Sequence, residues 1–201
     1  AFDFIDGLRL VAKRGELMSK VEGGAMAAVI GLDAVAVQGV MESTGRDDVD
    51  LVNFNSPAQI VVSGPAASVP QLEGPLKEAG ARHFVILNVS GAFHSSLMKP
   101  ARDNLAETLN SIEIKDADFP VFSNVTAQPT TDKLEIKSNL LRQLEHPVLW
   151  SEAILNMISH GTTRFLEIGP RKVLAGLNRK INKSTLTQSI GSLNELNLCL
   201  V

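Results

Sequence analysis

The 201-residue sequence is poor in three residue types, with one cysteine, no tyrosine and one tryptophan. The single cysteine, Cys199, cannot form a disulfide within the chain, which is typical of a reducing compartment. Scarce aromatic residues and a net charge of −3 disfavour a nucleic-acid surface, which stacks bases on rings and carries basic charge. No apolar run approaches the roughly 20 residues of a membrane helix, and no signal peptide is visible. The sequence therefore predicts a cytoplasmic protein with neither nucleic-acid nor membrane partners.

Common motifs of cofactor, metal and nucleophile sites are also missing. The sequence has no Gly-x-Gly-x-x-Gly, no P-loop and no Gly-x-Ser-x-Gly elbow. Its four histidines and one cysteine do not show the spacing of metal ligands. We therefore expect no metal site and no bound cofactor.

Apolar residues make up 44% of the chain and charged residues 20%, the balance of a globular protein with a core. The length suits one medium domain, or one domain with a smaller lobe. Helix and strand patterns alternate. Residues 25–89 predict strand, helix, strand, strand, helix and strand, the order of a ferredoxin-like split unit.

Local signals around this unit predict the remaining elements. Asp3 is the expected N-cap of a helix over 3–19, and Ser68 of a helix ending at 79. Further helices are predicted over 96–112 and 150–159, strands over 84–89 and 165–168, and a helix opened by Gly169 and Pro170 and ending at 181. From Ser184 the tail is polar and is predicted to be loose, apart from an apolar end at 198–201.

Arg14 stands out because its helical neighbours at three and four positions are apolar: Leu10, Val11, Leu17 and Met18. A guanidinium on an apolar face must reach water or meet an anion, since an unpaired buried charge costs several kcal/mol. The anion could be an internal carboxylate or the carboxylate of a ligand. The sequence leaves these alternatives open.

His94 lies at a predicted strand-to-helix crossing, where α/β enzymes place a general base. A structural or merely exposed histidine is the alternative. Ser90 and Ser95 flank it, but neither is marked as a strained nucleophile, and turn and cap are the roles that we expect for them.

Five basic residues and no acidic residue lie between positions 171 and 183. They form either a solvated helix face or a docking patch for an acidic partner. The patch consists of Arg171, Lys172, Arg179 and Lys180, followed by Lys183.

Six blocks of sequence carry a resemblance to a known family. They are KRGELM at 13–18, GAMAAVIG at 24–31, NFNSPAQIVVSG at 53–64, GAFHSSLM at 91–98, QLEHPVLW at 143–150 and EIGP at 167–170. In this order and spacing they resemble the malonyl-CoA:acyl-carrier-protein transacylase family, relatives of polyketide synthase acyltransferases. The resemblance extends over nearly the whole chain.

The resemblance implies an α/β-hydrolase-like large lobe, residues 1–22 and 93–201, with an inserted ferredoxin-like lobe, residues 23–92. It also implies ping-pong transfer of a malonyl group, through a serine, from coenzyme A to the phosphopantetheine thiol of acyl carrier protein. By resemblance, His94 is the general base and Arg14 pairs with the malonyl carboxylate. A main-chain carbonyl near Gln143, a residue expected in the substrate site, orients the histidine, and Phe93 favours malonyl over branched units.

The sequence departs from the family pattern at its start. The family's serine elbow lies ahead of the arginine, at a place that here falls before Ala1. We therefore expect the chain as given to be inactive without that serine and to leave apolar surface of the large lobe uncovered. The alternative function is a non-catalytic module that binds carrier protein or acyl-CoA.

Overall fold

The computed structural model describes residues 1–89 and 91–199 of the chain. Its elements are α1 (Phe4–Ser19), β1 (Gly24–Ile30), α2 (Ala34–Ser43), β2 (Asp50–Ser56), β3 (Gln59–Pro65), α3 (Glu73–Glu78), β4 (His83–Ile86), α4 (Lys99–Asn110), β5 (Val121–Phe122), β6 (Pro129–Thr130), α5 (Lys133–Arg142), α6 (Trp150–Ser159), β7 (Arg164–Ile168), α7 (Val173–Ile181), β8 (Leu186–Ile190) and α8 (Leu193–Cys199). Short 3₁₀ turns, Val69–Leu72 and Ser96–Met98, lead into α3 and α4. Among the described residues, no helix combines the length and hydrophobicity needed to cross a membrane.

A four-stranded antiparallel sheet occupies the first half of the chain, in the order β2-β3-β1-β4. The element order predicted over 25–89 is confirmed. Because alternate residues of a strand face opposite sides, Ala27 and Val29 of β1 enter one apolar cluster, while Met26 and Ala28 enter another. The first cluster also contains Val37 of α2 and other buried residues of the helical side.

A separate apolar cluster joins α1 to α4. Leu10, Leu17 and Met18 of α1 are buried in it together with Leu105 and Leu109 of α4. Asp3 caps α1 as predicted, its carboxylate accepting from the backbone N–H of Ile5 at 2.8 Å. The packing of this one helix face fixes where Arg14 can lie.

A second face of α1, beside the buried one, and part of the β7–β8 sheet carry exposed apolar side chains. Phe4 and Val11 of α1 are 75% and 69% exposed, and Ile168 of β7 is 72% exposed. Strands β7 and β8 pair in parallel, an arrangement that is normally covered on both faces. The expected uncovered apolar surface is present.

Three predicted element ends are wrong. Ser68 makes no cap hydrogen bond, because its hydroxyl donates to the Asp48 carboxylate, and a 3₁₀ turn precedes α3. Strand β4 ends at Ile86 rather than at residue 89: the Leu87 N–H still donates to the Met26 carbonyl of β1 at 2.9 Å, but the paired register stops at Ile86. The 3₁₀ turn Ser96–Met98 also separates the predicted start of the next helix from α4.

The start of α7 is also different from the prediction, and Pro170 does not lie in its first turn. Arg171 has a left-handed φ of 80°, and the helix begins at Val173. The Glu167 carboxylate reaches the open end of the helix and accepts from the backbone N–H groups of Leu174 and Ala175, both at 2.9 Å. The cap of α7 therefore comes from the preceding strand.

The sequence predicted a loose tail from Ser184 onward, and this prediction is wrong. The tail forms β8, paired with β7 over five residues, and then α8. Ser192 and Glu195 form a reciprocal cap of α8: the Ser192 hydroxyl accepts from the Glu195 N–H at 3.3 Å, and the Glu195 carboxylate accepts from the Gly191 N–H at 2.8 Å. Pairing with a distant strand orders a segment whose own composition is polar.

We expect Glu167→Gln to lower the free energy of unfolding by about 1 kcal/mol, the usual cost of a lost cap. Burial acts to raise the pKa of Glu167, but hydrogen bonds from Ala175, Leu174 and Ser189 bring that pKa below its ordinary value. The carboxylate's stabilisation is therefore complete above the pKa of the unfolded chain, about 4.3, and is lost as the pH falls through the folded-state value.

Urea unfolding of the chain and of Glu167→Gln between neutral pH and pH 3 measures this difference. The difference in free energy of unfolding between the chain and Glu167→Gln should become smaller in acid. Glu73→Gln, which removes only an exposed ion pair with Lys77, is the matched control and should change little. A constant gap at every pH would contradict the assignment.

Candidate active site

His94 is held in a strained conformation on a tightly packed loop. Its φ is 64°, in the left-handed region that side chains other than glycine rarely adopt. The loop passes close to neighbouring backbone: a Cβ on Gly24 would overlap Ala92, and one on Gly91 would lie 2.7 Å from the Val21 carbonyl oxygen. Strain maintained by such packing is typical of functional residues.

The His94 imidazole is oriented by a main-chain carbonyl. Its Nδ1 lies 2.7 Å from the carbonyl oxygen of Gln143, which is 49 positions away in the chain. Because a carbonyl oxygen can only accept, Nδ1 carries the hydrogen in the neutral ring and donates it. Nε2 then keeps its lone pair, as a general base requires.

The carbonyl belongs to a turn that its own side chain closes. The Gln143 amide nitrogen donates to the carbonyl oxygens of His146 and Pro147, at 3.0 and 3.2 Å. Immediately after the turn, Val148 pairs with β2: its N–H donates to Val52 at 2.8 Å. Gln143 therefore acts on His94 through its backbone, while its side chain shapes the turn.

Arg14 is half-buried in α1 and has no ion pair among residues 1–89 and 91–199. The internal carboxylate that the sequence left open as its partner is absent from this part of the chain. Burial lowers the pKa of the guanidinium from its ordinary value. Arg14 and Gln143 line a cavity of about 470 Å³ whose other walls include Leu10 and Leu105. A cation in such a setting is a site for an anionic ligand group.

His94 lines a second, more polar cavity of about 520 Å³, which also contains Glu145 and Pro147 of the turn. Burial lowers the pKa of His94 below its ordinary value. The Gln143 hydrogen bond works against this, the charge of Arg14 lowers the pKa further, and the His146 backbone raises it. The imidazole is therefore held in its neutral, proton-accepting form near neutral pH.

Two residues that flank His94, Phe93 and Ser95, contact other protein groups rather than either cavity. Phe93 is half-buried and packs against both the α1–α4 cluster and the second face of the sheet, and it lines neither of the two cavities among the described residues. Ser95 is buried, donates to the Ala92 carbonyl at 2.7 Å and caps the following 3₁₀ turn. The expected cap role of Ser95 is confirmed. Ser90 lies outside the described residues.

The basic run of the sequence is divided by the structure. Arg171 and Lys172 precede α7, and Lys172 pairs with Glu195 at 3.4 Å. Arg179 and Lys180 lie in the last turn of the helix, where Lys180 donates to the Gln59 side chain at 2.9 Å. All four side chains are exposed, but they differ in whether a neighbouring side chain already engages their charge.

Sequence reasoning missed Arg102 and Glu145. Their side chains form an ion pair between α4 and the turn that holds His94, with Nε 2.8 Å from Oε2, although these two atoms lack the alignment of a hydrogen bond. The two residues are 43 positions apart, and no local pattern links them. Among the described residues there is no group of histidine, cysteine, aspartate or glutamate that could hold a metal ion.

Comparison with known proteins shows the family of the chain. The family model described as acyl transferase domain matches residues 1–194. A malonyl CoA-acyl carrier protein transacylase from Bacillus subtilis is 43% identical over 205 residues, covering all of this chain and 65% of its own length. The chain therefore spans just under two thirds of that relative. It belongs to the acyl transferase domain family.

Solved structures are similar over the same extent. The acyl carrier protein S-malonyltransferase of Vibrio cholerae has a TM-score of 0.93 and 38% identity, covering 98% of this chain and 66% of that one. A malonyl-transacylase solved in complex with its type II PKS acyl-carrier protein has a TM-score of 0.93 and 37% identity, covering 99% and 66%. The described fold is thus the mixed α/β fold of these enzymes.

Arg14→Met should raise the pKa of His94, because it removes a cation that disfavours the imidazolium. The measurement is an NMR titration of the His94 ring in the 201-residue chain. Arg9→Met is the matched control, since Arg9 lies on the same helix but is exposed and paired with Asp6. An unchanged midpoint in Arg14→Met would show that the two groups do not interact.

Proposed function

We propose that these residues belong to a malonyl-CoA:acyl-carrier-protein transacylase of fatty acid biosynthesis. The observation that carries the proposal is the 2.7 Å contact between His94 Nδ1 and the Gln143 carbonyl, which leaves Nε2 as a base. Arg14, without an ion pair in the described part of the chain, supplies the anion site. The names of the relatives support the same activity.

The reaction has two transfers through a serine. His94 Nε2 accepts the serine proton as the serine oxygen attacks the malonyl thioester carbonyl, and the proton then goes to the departing coenzyme A thiol. In the second half, His94 takes the proton of the phosphopantetheine thiol as its sulfur attacks the malonyl ester, and returns it to the serine. The phosphopantetheine belongs to the carrier protein, so the chemistry uses no cofactor of this chain.

Arg14 binds the distal carboxylate of the malonyl group in a bidentate manner. An acetyl group lacks that carboxylate and would leave the guanidinium without a partner. Phe93 adjoins His94 in the chain and is held between two apolar clusters, outside the lining of the two cavities described above. We propose that its bulk disfavours a branched methylmalonyl group by ~1–3 kcal/mol.

We also propose a two-lobe organisation. The antiparallel order β2-β3-β1-β4 with helices on one face supports a ferredoxin-like lobe over residues 23–92. Residues 1–22 and 93–201 then form part of an α/β-hydrolase-like lobe, in keeping with the exposed apolar faces of α1 and the parallel β7–β8 pair.

One observation favours a second candidate function. The 201 residues contain no Gly-x-Ser-x-Gly motif, so the family's nucleophile is not among them. A chain with this composition could bind malonyl-CoA or carrier protein without transferring an acyl group. We propose that the catalytic serine lies outside these 201 residues and that they do not catalyse transfer alone.

The test is the intact mass of the chain after incubation with malonyl-CoA, beside a version extended N-terminally through a serine elbow. We expect a malonyl adduct on the extended chain only. An extended Arg14→Met variant should lose malonyl loading. An adduct on the 201-residue chain itself would mean that one of its own serines is the nucleophile. A folded extended chain without an adduct would contradict the transacylase proposal and favour a non-catalytic module that binds malonyl-CoA or carrier protein.

Acyl carrier protein is the proposed partner, docked by Arg171, Lys172, Arg179 and Lys180. Charge complementarity raises the association rate of an acidic partner. The four side chains differ, because Glu195 neutralises Lys172 while Arg179 has no ion pair in the described part of the chain. Arg179 and Lys183 line a groove of about 260 Å³ at the end of α7. The proposed patch is therefore strongest at that end.

Arg179→Glu should weaken carrier binding more than Lys172→Glu does. At low salt the dissociation constants of the two variants should differ by about fivefold or more. Binding is measured by titration with acyl carrier protein at low and physiological ionic strength, and the wild-type affinity should fall with salt. Lys77→Glu on α3, an exposed lysine outside the patch, is the control. Binding that is insensitive to both salt and Arg179→Glu would exclude this patch.

A further inference from the structure

Three consecutive residues of one turn each contact the segment that begins with His94. The Gln143 carbonyl accepts from His94 at 2.7 Å. Leu144 is fully buried in the apolar cluster of α4. Glu145 pairs with Arg102 of α4 at 2.8 Å. The turn thus contacts His94 on one side of a buried side chain and α4 on the other.

The other hydrogen bonds of the turn fix its shape but not its distance from α4. The Gln143 amide closes it onto His146 and Pro147, and the Glu145 N–H donates to the Arg142 carbonyl at 3.1 Å. All of these bonds are internal to residues 142–147. The chain is also anchored on either side of the turn: the Gln143 N–H donates to Asn139 of α5 at 3.0 Å, and Val148 pairs with β2. None of these bonds reaches α4, so a pivot of the turn between the two anchors would move the Gln143 carbonyl away from the imidazole.

We propose that Arg102 is a positioning residue for His94: its ion pair with Glu145 stops this pivot and keeps the Gln143 carbonyl at the imidazole Nδ1. The inference rests on the proposed function only in taking His94 as the base. Arg102 is itself held, because a second guanidinium nitrogen lies 2.7 Å from Asp103.

The surroundings of the pair favour a measurable effect. The Glu145 side chain is only 18% exposed and that of Arg102 37%, so solvent screens their attraction less than at a fully exposed pair. The pair Lys99–Asp103 on the same helix is 61% and 49% exposed. Among the described residues neither side chain has an ion pair with the turn, and Lys99→Met leaves the contact between Asp103 and Arg102 in place, so this variant provides the comparison.

Positioning and simple charge effects predict opposite pKa shifts of His94 for Arg102→Met, whereas for Glu145→Gln both lower the pKa and only the tautomer ratio separates them. By charge alone, removing Arg102 would raise the pKa of His94 and removing the Glu145 charge would lower it. Loss of the Gln143 acceptor lowers the pKa in both variants, because that hydrogen bond raises it. The remaining charged groups near the ring are unchanged by either substitution; they are Arg14, Glu42, Arg46, Asp47 and Asp50.

The experiment is ¹⁵N NMR of the histidine rings in the 201-residue chain, for wild type, Arg102→Met and Glu145→Gln. We expect wild-type His94 to carry its neutral-form hydrogen on Nδ1. Both variants should shift the tautomer ratio toward Nε2–H by about fivefold, the upper range for such a pair, and both should lower the His94 pKa. Arg102→Lys should restore most of the wild-type ratio, and Lys99→Met should leave it unchanged.

Circular dichroism and urea midpoints establish that each variant is folded. If Arg102→Met does not fold, the tautomer ratio of Glu145→Gln, which replaces one carboxylate oxygen by an amide nitrogen, provides the test. An unchanged tautomer ratio, pKa shifts of opposite sign, or an equal shift in Lys99→Met would each overturn the proposal. None of these readouts requires acyl transfer. Failure of the transacylase proposal in the mass experiment is therefore distinguishable from failure of this one.

Discussion

The hydrogen bond from His94 to the Gln143 carbonyl joins two halves of the chain and determines what the site can do. An imidazole that donates from Nδ1 presents Nε2 for proton transfer, and a neutral main-chain carbonyl orients it without adding charge. An acidic partner would stabilise the imidazolium more strongly. Together with burial and the nearby Arg14, the carbonyl leaves a histidine that is oriented but remains neutral.

The turn that provides this carbonyl also connects the site to the sheet. Its last residues pair with β2, its buried leucine enters the α1–α4 cluster, and its glutamate pairs with α4. Arg14 comes to the same place from α1, whose apolar face packs in that cluster. One segment therefore sets the relation between His94, Arg14 and the sheet, to which three further parts of the chain contribute.

The charge available around α7 also depends on side chains that the fold brings close to it. The basic run around α7 looks uniform in sequence, yet Glu195 of α8 neutralises one end and Gln59 of β3 engages another lysine. Glu167, by contrast, is an acidic residue whose function is structural, because it satisfies the open backbone groups of α7. Ion pairs and caps supplied by distant residues change both the available charge and the helix boundary.

The sequence by itself determined the elements whose signals are local. The cap at Asp3, the apolar periodicity of α1 and α6, and the strand and helix order of residues 25–89 depend on neighbours within a few positions, and the structure agrees with them. The short motifs around Arg14 and His94 identified the family for the same reason. Only the tertiary structure decided the order of the tail, the late start of α7, the missing partner of Arg14 and the orientation of His94. The tail pairs with a strand some 22 positions earlier and His94 with a carbonyl 49 positions later, while α7 is capped by a side chain seven positions before Leu174. Within the described part of the chain Arg14 lacks an ion-pair partner because of which side chains fold around it, and one sequence contains no periodic signal for any of these outcomes.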